Sequence, residues 1–336
     1  MNSLLGRFTI WQKLAIFGLL GFAVALPPTV MYLLSSNAGI RTARTESAGI
    51  EPSKALLRVI QYTQQHRGMS AGLLGGNTSM SGPREQAQVQ VDRLIDETGA
   101  ILNAAVRDGK IAASWTQATR NWKSLAQEVA QKSISGGQSF SRHTALIAEY
   151  LALVDQTADE FGLSRDPDAD SYFLNSAVLV HLPNLTESLG QARALGARFL
   201  AQKEIKQEDR VVLSTVIGLS RFHLHNMKLA LGKVADLNPA LKAVLAEPMK
   251  QSAEAAEQAI RLTDEQVLRP DKLSFDAGEY FKTYTGVIDT QFGLNTRAMA
   301  ELNDLMRGRE TRMQNFQYSV LGFIALIALI AGAMGY

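Results

Sequence analysis

Two long apolar stretches at the ends of the sequence constrain its fold more than any other feature. The last of them, residues 318–336, reads YSVLGFIALIALIAGAMGY and carries no charged side chain. At about 1.5 Å of rise per residue, a helix of this length spans the roughly 30 Å of hydrocarbon in a bilayer. Lipid offers no partner for a free backbone N–H or C=O group, so a helix is the expected form. The sequence therefore predicts a transmembrane helix at 318–336.

A second uncharged stretch, residues 14–34, predicts another transmembrane helix. Pro27 and Pro28 lie within it and are expected to kink it, which membrane helices tolerate. The alternative is a cleaved signal peptide, with Ser36 and Ala38 as small residues near the cleavage site. Signal peptides usually have an apolar core of about 7–15 residues, and this one is longer, so we favour a retained helix.

The region between these stretches, 35–317, has the periodicity of long helices. Three sets of mostly apolar residues recur at alternating steps of four and three, which places each set on one face of a helix. The sets are Ala87, Val91, Leu94, Thr98, Ile101 and Ala105; Ile147, Leu151, Val154, Ala158 and Phe161; and Leu213, Ile217, Ser220, Leu224, Met227, Leu231 and Val234. No stretch of the sequence shows the alternation typical of a strand. We predict an all-α domain at 35–317, preceded by a short cytoplasmic N-terminus at 1–13.

Glycine, proline and asparagine pairs divide this domain into about eight helical segments, most of them roughly 20–30 residues long. The predicted stops are 75–77, 81–83, Asp108-Gly109, Gly136-Gly137, Asp166-Pro167, Asn238-Pro239 and 269–271. Pro52, Pro183 and Pro248 fall where a helix would otherwise continue, and they predict kinks or short breaks. Such helices suit two stacked four-helix bundles, with one long bundle as the alternative.

The composition narrows the function. The 336 residues carry a net charge of +2 and include no cysteine. Balanced charge gives no reason to expect nucleic acid as a partner, and the lack of cysteine excludes disulfides and thiolate metal sites. The sequence contains no Ser/His/Asp set with a supporting signature, no phosphate-binding glycine loop and no zinc motif. We therefore expect a protein that is not an enzyme and that uses no cofactor or metal.

Two segments invite a metal interpretation that their spacing does not support. Residues 166–172 lack the glycine and the closing glutamate of a calcium loop, and they predict a helix start with Asp168 or Asp170 as N-cap. His223 and His225 are two residues apart, so on a helix they point about 200° from one another and do not share a face.

Residues 61–77, QYTQQHRGMSAGLLGGN, form the least generic motif. Arg67 is followed by Gly68, Gly72 and Gly75, which would let a neighbouring helix approach closely and leave room for a small ligand. The planar guanidinium group suits carboxylate, nitrate or phosphate. The alternative is a tight helix crossing in which Arg67 caps carbonyl groups or pairs with a glutamate, and the residues alone favour this alternative.

Three more arginines, Arg193, Arg198 and Arg221, lie in helical segments with apolar neighbours. They could join Arg67 around an anion, or they could extend their side chains to water. The sequence alone does not bring them together.

With these motifs, the chain resembles the N-terminal sensor region of bacterial transmembrane receptors, especially methyl-accepting chemotaxis proteins. The likeness rests on HRGMSAGLLGGN at 66–77, on DPDADSYFL at 166–174 and on the layout of two membrane helices around a helical domain. Similar regions are attached to sensor histidine kinases and diguanylate cyclases. The flanking charges leave the orientation open, whereas the resemblance implies a periplasmic sensor domain in the inner membrane. It also implies a homodimer with the long terminal helices at its interface.

The first motif is also similar to the Gln-x-Glu-Arg-Gly-x-Ser pattern of nitrate- and nitrite-sensing domains, which are helical and bind the anion through arginines. Gln64, Arg67, Gly68 and Ser70 match it, whereas His66 stands where the pattern has glutamate. The resemblance implies that Arg67 binds an anion. Gln64 and Ser70 of the same motif are further candidates for ligand binding, as are Arg193 and Arg221.

These features together predict a receptor input module that senses a small periplasmic solute, with an anion as candidate, and signals through its second membrane helix for chemotaxis. One alternative is the sensor region of a histidine kinase or diguanylate cyclase, whose distinguishing motifs would lie beyond Tyr336. The other is a membrane-anchored helical scaffold without a small ligand.

Overall fold

The computed structural model describes residues 9–335, so residues 1–8 of the predicted cytoplasmic N-terminus and Tyr336 of the predicted second span lie outside it. Every regular element in the described range is helical. This confirms the all-α prediction. Most helix boundaries lie at or next to the glycine, proline and asparagine pairs where the sequence predicts helix ends.

Nine α-helices occur within residues 9–335. They are α1 (Ile10–Leu74), α2 (Ser81–Ala105), α3 (Gly109–Ala130), α4 (Gly136–Glu160), α5 (Ala169–Asn175), α6 (Leu182–Gln202), α7 (Gln207–Leu237), α8 (Pro239–Thr263) and α9 (Ala277–Gly335). Because α5 runs through a π-helical segment, Ser176–His181, directly into α6, the described chain contains eight rods, as the sequence predicts.

Short polar side chains start several of these helices. Asp108 accepts a hydrogen bond from the backbone N–H of Lys110 at the start of α3. Ser135 and Gln138 form a reciprocal capping box at the start of α4. Asn238 caps α8, whose first residue is Pro239. Asp168 occupies the N-cap position of α5, as predicted.

Sequence analysis missed one turn, and of the kinks or short breaks predicted at prolines, those at Pro52 and Pro248 are not breaks. The turn between α6 and α7 contains neither glycine nor proline, and Lys203 takes the left-handed conformation there with φ 56°. Pro52 and Pro248 lie inside α1 and α8 without ending them. Pro183 follows the π-helical segment, where its missing N–H cannot satisfy the carbonyl four residues earlier.

Two compact units divide the chain, and the larger one is Ala48–Asp304. Within it, part of α1 packs with α2, α3 and α4 around Trp122, which is fully buried. The four remaining long helices form a second set, in which α7 packs on both α6 and α8. The hydroxyl of Tyr280 on α9 joins this set by bonding Thr263 of α8 and the carbonyl of Ala192 on α6. This grouping favours two four-helix bundles over one.

A chain of buried polar groups crosses the interior of the first set. His143 Nδ1 donates to the carbonyl of Ser139 at 2.7 Å, so its Nε2 accepts from His66 Nδ1 at 2.8 Å. Arg84 then donates to His66 Nε2 at 3.5 Å. Burial is the main reason that the pKa of His66 lies well below its usual value and that the pKa of His143 falls to about 3. Both rings are therefore neutral at pH 7.

The smaller unit comprises residues 1–47 and 305–336, of which 9–47 and 305–335 are described. Its two helical segments run antiparallel, because early residues of one contact late residues of the other. A buried ion pair joins Glu46 to Arg309 at 2.7 Å, and Gln317 donates to Asn37 at 2.8 Å. Both helices contain an apolar window long enough to cross a bilayer, and nearly all side chains in these windows are exposed.

The buried histidine pair makes the stability of the first set depend on pH. Because both pKa values are lower in the folded chain, the neutral pair stabilises the fold fully above the unfolded histidine pKa of about 6.5. We expect the free energy of unfolding to fall below that pH, by about 1.4 kcal/mol per pH unit for each histidine. Thermal unfolding between pH 7 and 5, followed by the fluorescence of Trp115 and Trp122, measures this loss.

The matched control is His143→Gln, which keeps polar atoms but removes one titrating group. It should weaken the pH dependence by about one proton per molecule. A melting temperature that stays constant from pH 7 to pH 5 would contradict the assignment of two neutral rings.

Candidate functional site

The motif arginine lies at the contact between α1 and α6. Only 1% of the Arg67 side chain is exposed. Its two terminal nitrogens donate one hydrogen bond to each carboxylate oxygen of Glu187, at 2.6 and 3.1 Å. Its guanidinium group also donates to the Thr144 hydroxyl at 3.0 Å. Gln64 and Gln191 donate to the same carboxylate, at 2.9 and 2.8 Å. The predicted pairing with a glutamate is therefore present.

A second arginine is buried beside the first one. Arg193 on α6 is 4% exposed and donates to the Thr285 hydroxyl at 2.9 Å. Its guanidinium carbon lies 4.7 Å from the centre of the Phe281 ring, which is close enough for a cation–π contact. Its other terminal nitrogen lies 3.5 Å from the carbonyl oxygen of Gln64. Arg193 thus joins α6 to both α1 and α9.

Two glycines make room for the two arginines in a reciprocal way. A Cβ atom on Gly190 of α6 would lie 2.7 Å from a terminal nitrogen of Arg67, and a Cβ on Gly68 of α1 would lie 2.9 Å from one of Arg193. Real Cβ atoms do not approach a neighbour this closely. Each helix therefore supplies an arginine and the gap into which the arginine of the other helix fits.

The charges at this contact do not balance. Arg67 is paired directly with Glu187, whereas no carboxylate in residues 9–335 forms an ion pair with Arg193. Burial, and next the charge of Arg67, lower the pKa of Arg193 to about 10, against the opposite effect of Asp289 and Glu187. Among the described residues, the Nε–H groups of both arginines are buried without a hydrogen-bond partner. The side-chain oxygen of Gln64 is buried without a partner among them as well, so what the arrangement lacks is one negative charge.

An open cleft of about 510 Å³ adjoins the arginine contact. Its walls come from α1, α6 and the start of α9, and most of the side chains that line it are small: Gly68, Ala71, Gly72, Gly75, Ala194, Ala197, Ala201, Ala277 and Gly278. Gly68 and Phe281 line the cleft and also contact Arg193. The cleft therefore extends up to the two residues that cover this guanidinium group, of which Gly68 is buried and Phe281 partly exposed.

The structure brings together three of the residues that the sequence selects for ligand binding, namely Gln64, Arg67 and Arg193. Ser70 instead faces the first set of helices, where its hydroxyl lies 3.4 Å from His66 Nδ1. Arg221 is on the exposed side of α7 and pairs with Asp264. The expectation that Arg221 joins Arg67 is therefore not supported by its contacts.

Sequence reasoning missed Glu187, Phe281 and Thr285. One signal was available for Glu187, because a carboxylate in the apolar stretch LPNLTESLG needs a buried cationic partner. Phe281 and Thr285 carry no such signal, since aromatic and hydroxyl residues are common on any helix. Their role depends on how α9 packs, which periodicity does not determine.

Comparisons with known proteins show the family and the fold of the chain. A family model described as "Nitrate and nitrite sensing" matches residues 58–303, which is more than two thirds of the chain. The solved structure of the NasR transcription antiterminator aligns with 92% of this chain and 82% of that chain, with a TM-score of 0.60 and 15% identity, and thus shares its fold. No curated protein matches the chain. The matched range contains α6, both buried arginines and the motif that carries Arg67. Because the family model matches more than half of the chain, the chain belongs to the nitrate and nitrite sensing family.

Proposed function

We propose that the contact between Arg67 and Arg193 is the site at which this chain binds nitrate or nitrite. The observation that carries the proposal is the excess of one buried positive charge over the directly paired carboxylate. A monovalent anion supplies the missing charge, whereas a divalent anion would leave an excess negative charge in a buried place. Site charge therefore favours nitrate and nitrite over sulfate.

The shape of the donors supports the same ligands. A guanidinium group presents its N–H donors in one plane, and nitrate presents three acceptors in one plane. The unpartnered Nε–H groups of Arg67 and Arg193 are available as donors to such an ion. The small side chains of the adjoining cleft provide its approach, with Phe281 as the bulky side chain against Arg193.

His66 stands where the family pattern has glutamate, and its side chain belongs to a cluster beside the proposed site and not to the site itself. His66 turns to His143 and Arg84 in the first set of helices, whereas Arg67 turns to Glu187 on α6. A histidine at this position changes the polar chain through the first set of helices. The donors offered to the anion come from the following residue and from α6.

We further propose that binding acts on α9. Arg193 is bound to Thr285 and stacked on Phe281, both of which belong to this helix, and α9 extends as one helix from Ala277 to Gly335. An anion that pulls Arg193 toward Arg67 would favour a different position of Thr285 and Phe281. Packed helices shift between discrete arrangements, so a small change of this kind suits a receptor.

In this proposal the chain is an inner-membrane receptor with Ala48–Asp304 in the periplasm and an apolar span at each end, signalling for chemotaxis. The two exposed apolar windows and the sensing family support it. A histidine kinase or diguanylate cyclase would use the same input module. A scaffold without a ligand is the alternative from another class, and an anion screen separates it: no thermal shift with any anion supports the scaffold.

Arg193→Ala should abolish the binding of nitrate to the 336-residue chain in detergent. Saturating nitrate at about 100 times its dissociation constant should stabilise the unmodified chain by about 2.7 kcal/mol, and the variant by nothing measurable. The matched control is Arg221→Ala, which removes an arginine that pairs with Asp264 outside the site. Titration calorimetry with nitrate, nitrite, chloride and sulfate provides the measurement. Equal affinity in both variants would exclude Arg193 from the site.

Gly190→Ala should weaken nitrate binding by pushing the guanidinium group of Arg67 out of its place, since the new Cβ would lie 2.7 Å from it. The affinity should fall by roughly tenfold or more, which corresponds to about 1.4 kcal/mol. Gly293→Ala on α9 is the control, because its Cβ would meet no atom within 4 Å. The same loss in both variants would show that helix propensity, and not the gap for Arg67, causes it.

Arg67→Ala should destabilise the chain even without ligand, because it leaves the Glu187 carboxylate buried without its cation. The expected cost is about 3–5 kcal/mol. The double variant Arg67→Met with Glu187→Met should recover most of this stability, while nitrate binding stays lost. Thermal unfolding and calorimetry together test both roles of Arg67, and a double variant that still binds nitrate would leave it a purely structural one.

A further inference from the structure

Most of the large apolar side chains exposed to solvent in the unit Ala48–Asp304, which we call the sensor unit, lie on one helix. Ala48–Asp304 exposes nine such side chains, and six of them belong to α7. They are Val211, Val212, Leu219, Phe222, Leu229 and Leu237. Single exposed apolar residues are ordinary, but a concentration on one helix marks an interaction surface.

These side chains follow the spacing of a coiled coil. Val212, Thr215, Leu219, Phe222, Asn226 and Leu229 recur at alternating steps of three and four, and we call this set the outer stripe. At 100° per residue it lies on the face opposite the buried set that begins with Leu213 and ends with Val234. One helix therefore carries two seams, of which the inner one is buried and α7 also packs against α5, α6 and α8.

Charge is absent from the outer stripe. The nearby charged residues Arg221 and Lys228 point to the side, where they pair with Asp264 and Glu257 within the same chain. Gly218 and Gly232 flank the stripe, and a Cβ on either would meet no atom within 4 Å. From Val212 to Leu229 the face is thus neutral, apolar and bordered by small residues, so a second helix can approach closely there without repulsion between like charges. The next position of the same repeat is Lys233, whose ammonium group lies 4.4 Å from the centre of the Phe173 ring of α5.

Asn226 indicates that the second helix is α7 of another copy of the chain. With Val212 and Leu219 it occupies the first core position of three successive heptads, and a single asparagine there is the residue that fixes register in two-stranded parallel pairs. Its side-chain nitrogen donates one N–H to the carbonyl of Phe222 at 2.9 Å, and the second N–H and the amide oxygen can bond an identical amide across a two-fold axis. In such a pair Leu219 meets Leu219, and Phe222 meets Phe222.

We propose that the outer stripe of α7 is the surface on which a second copy of this chain docks, as a parallel and symmetric pair of α7 helices. A two-fold contact uses the same patch on both copies and closes as a dimer. This surface is different from the terminal helices that the resemblance to chemotaxis receptors implies. The proposed pairing of α7 helices does not depend on which ligand the chain binds.

The lack of cysteine in the chain allows a direct test. Leu219→Cys and Asn226→Cys each place one thiol in the outer stripe of the 336-residue chain, and Ser214→Cys places one on the same helix about 140° away from Leu219. Copper phenanthroline should convert the first two variants to disulfide-linked dimers and leave the third monomeric on a non-reducing gel. Absence of a dimer for both stripe variants, or equal linkage of Ser214→Cys, would overturn the proposal.

A charge variant tests whether the surface also holds the copies together. Leu219→Lys combined with Phe222→Lys sets four like charges opposite one another in the pair, and both side chains are about half exposed in the single chain, at 48% and 58%. The dimer dissociation constant, from sedimentation in detergent, should rise at least about tenfold, or about 1.4 kcal/mol, with unchanged helicity. Ser214→Lys is the control. An unchanged constant in the double variant would show that the copies pair elsewhere.

Discussion

The structure of the sensor unit depends on a shortage of negative charge where three helices meet. Arg67 and Arg193 are both buried, and Glu187 alone is paired with them directly. Taking an ion out of water costs several kcal/mol unless a partner offsets it. The helices tolerate the second guanidinium group through an aromatic face, a hydroxyl and a backbone carbonyl, all of which are weaker than a counterion. This imbalance is the basis of our proposal that an anion binds there.

The neighbouring polar chain follows the opposite rule. His66 and His143 are as deeply buried as the arginines, but both stay neutral, and their ring nitrogens are arranged so that each N–H meets an acceptor. Such a chain orders the first set of helices through two uncharged rings, with the Arg84 cation at its end. Adjacent residues of one motif, His66 and Arg67, thus serve two different electrostatic designs on two sides of α1.

Sequence periodicity determined the helices because the apolar residues of each one fall on a single stripe. All members of the set from Leu213 to Val234 are buried as predicted, while in α2 the stripe drifts to Leu102 because a helix has 3.6 residues per turn and not 3.5. Polar caps such as Asp108 and Asn238 marked the boundaries. The turn at Lys203 left no trace in the sequence, since a lysine rarely takes the left-handed conformation.

For the candidate site, Arg67 could be selected because glycines and an arginine in one helix are unusual, and Arg193 because it stood among apolar residues. Arg221 met the same criterion, yet it lies on the exposed side of α7. Periodicity predicts which residues of one helix share a face of that helix. Which faces of different helices meet depends on the packing of α1, α6 and α9, and that information is spread over the whole unit.

The small side chains around the cleft bear on how quickly the receptor could report a change. A buried ion usually leaves only when bulky neighbours rearrange, which makes its residence long. Here glycine and alanine line most of the route, and the ring of Phe281 is the large group beside Arg193. Rotation of one aromatic ring is a fast event compared with the separation of whole helices. An anion bound at this contact, as we propose, would then have a route past Phe281 that does not require the helices to separate.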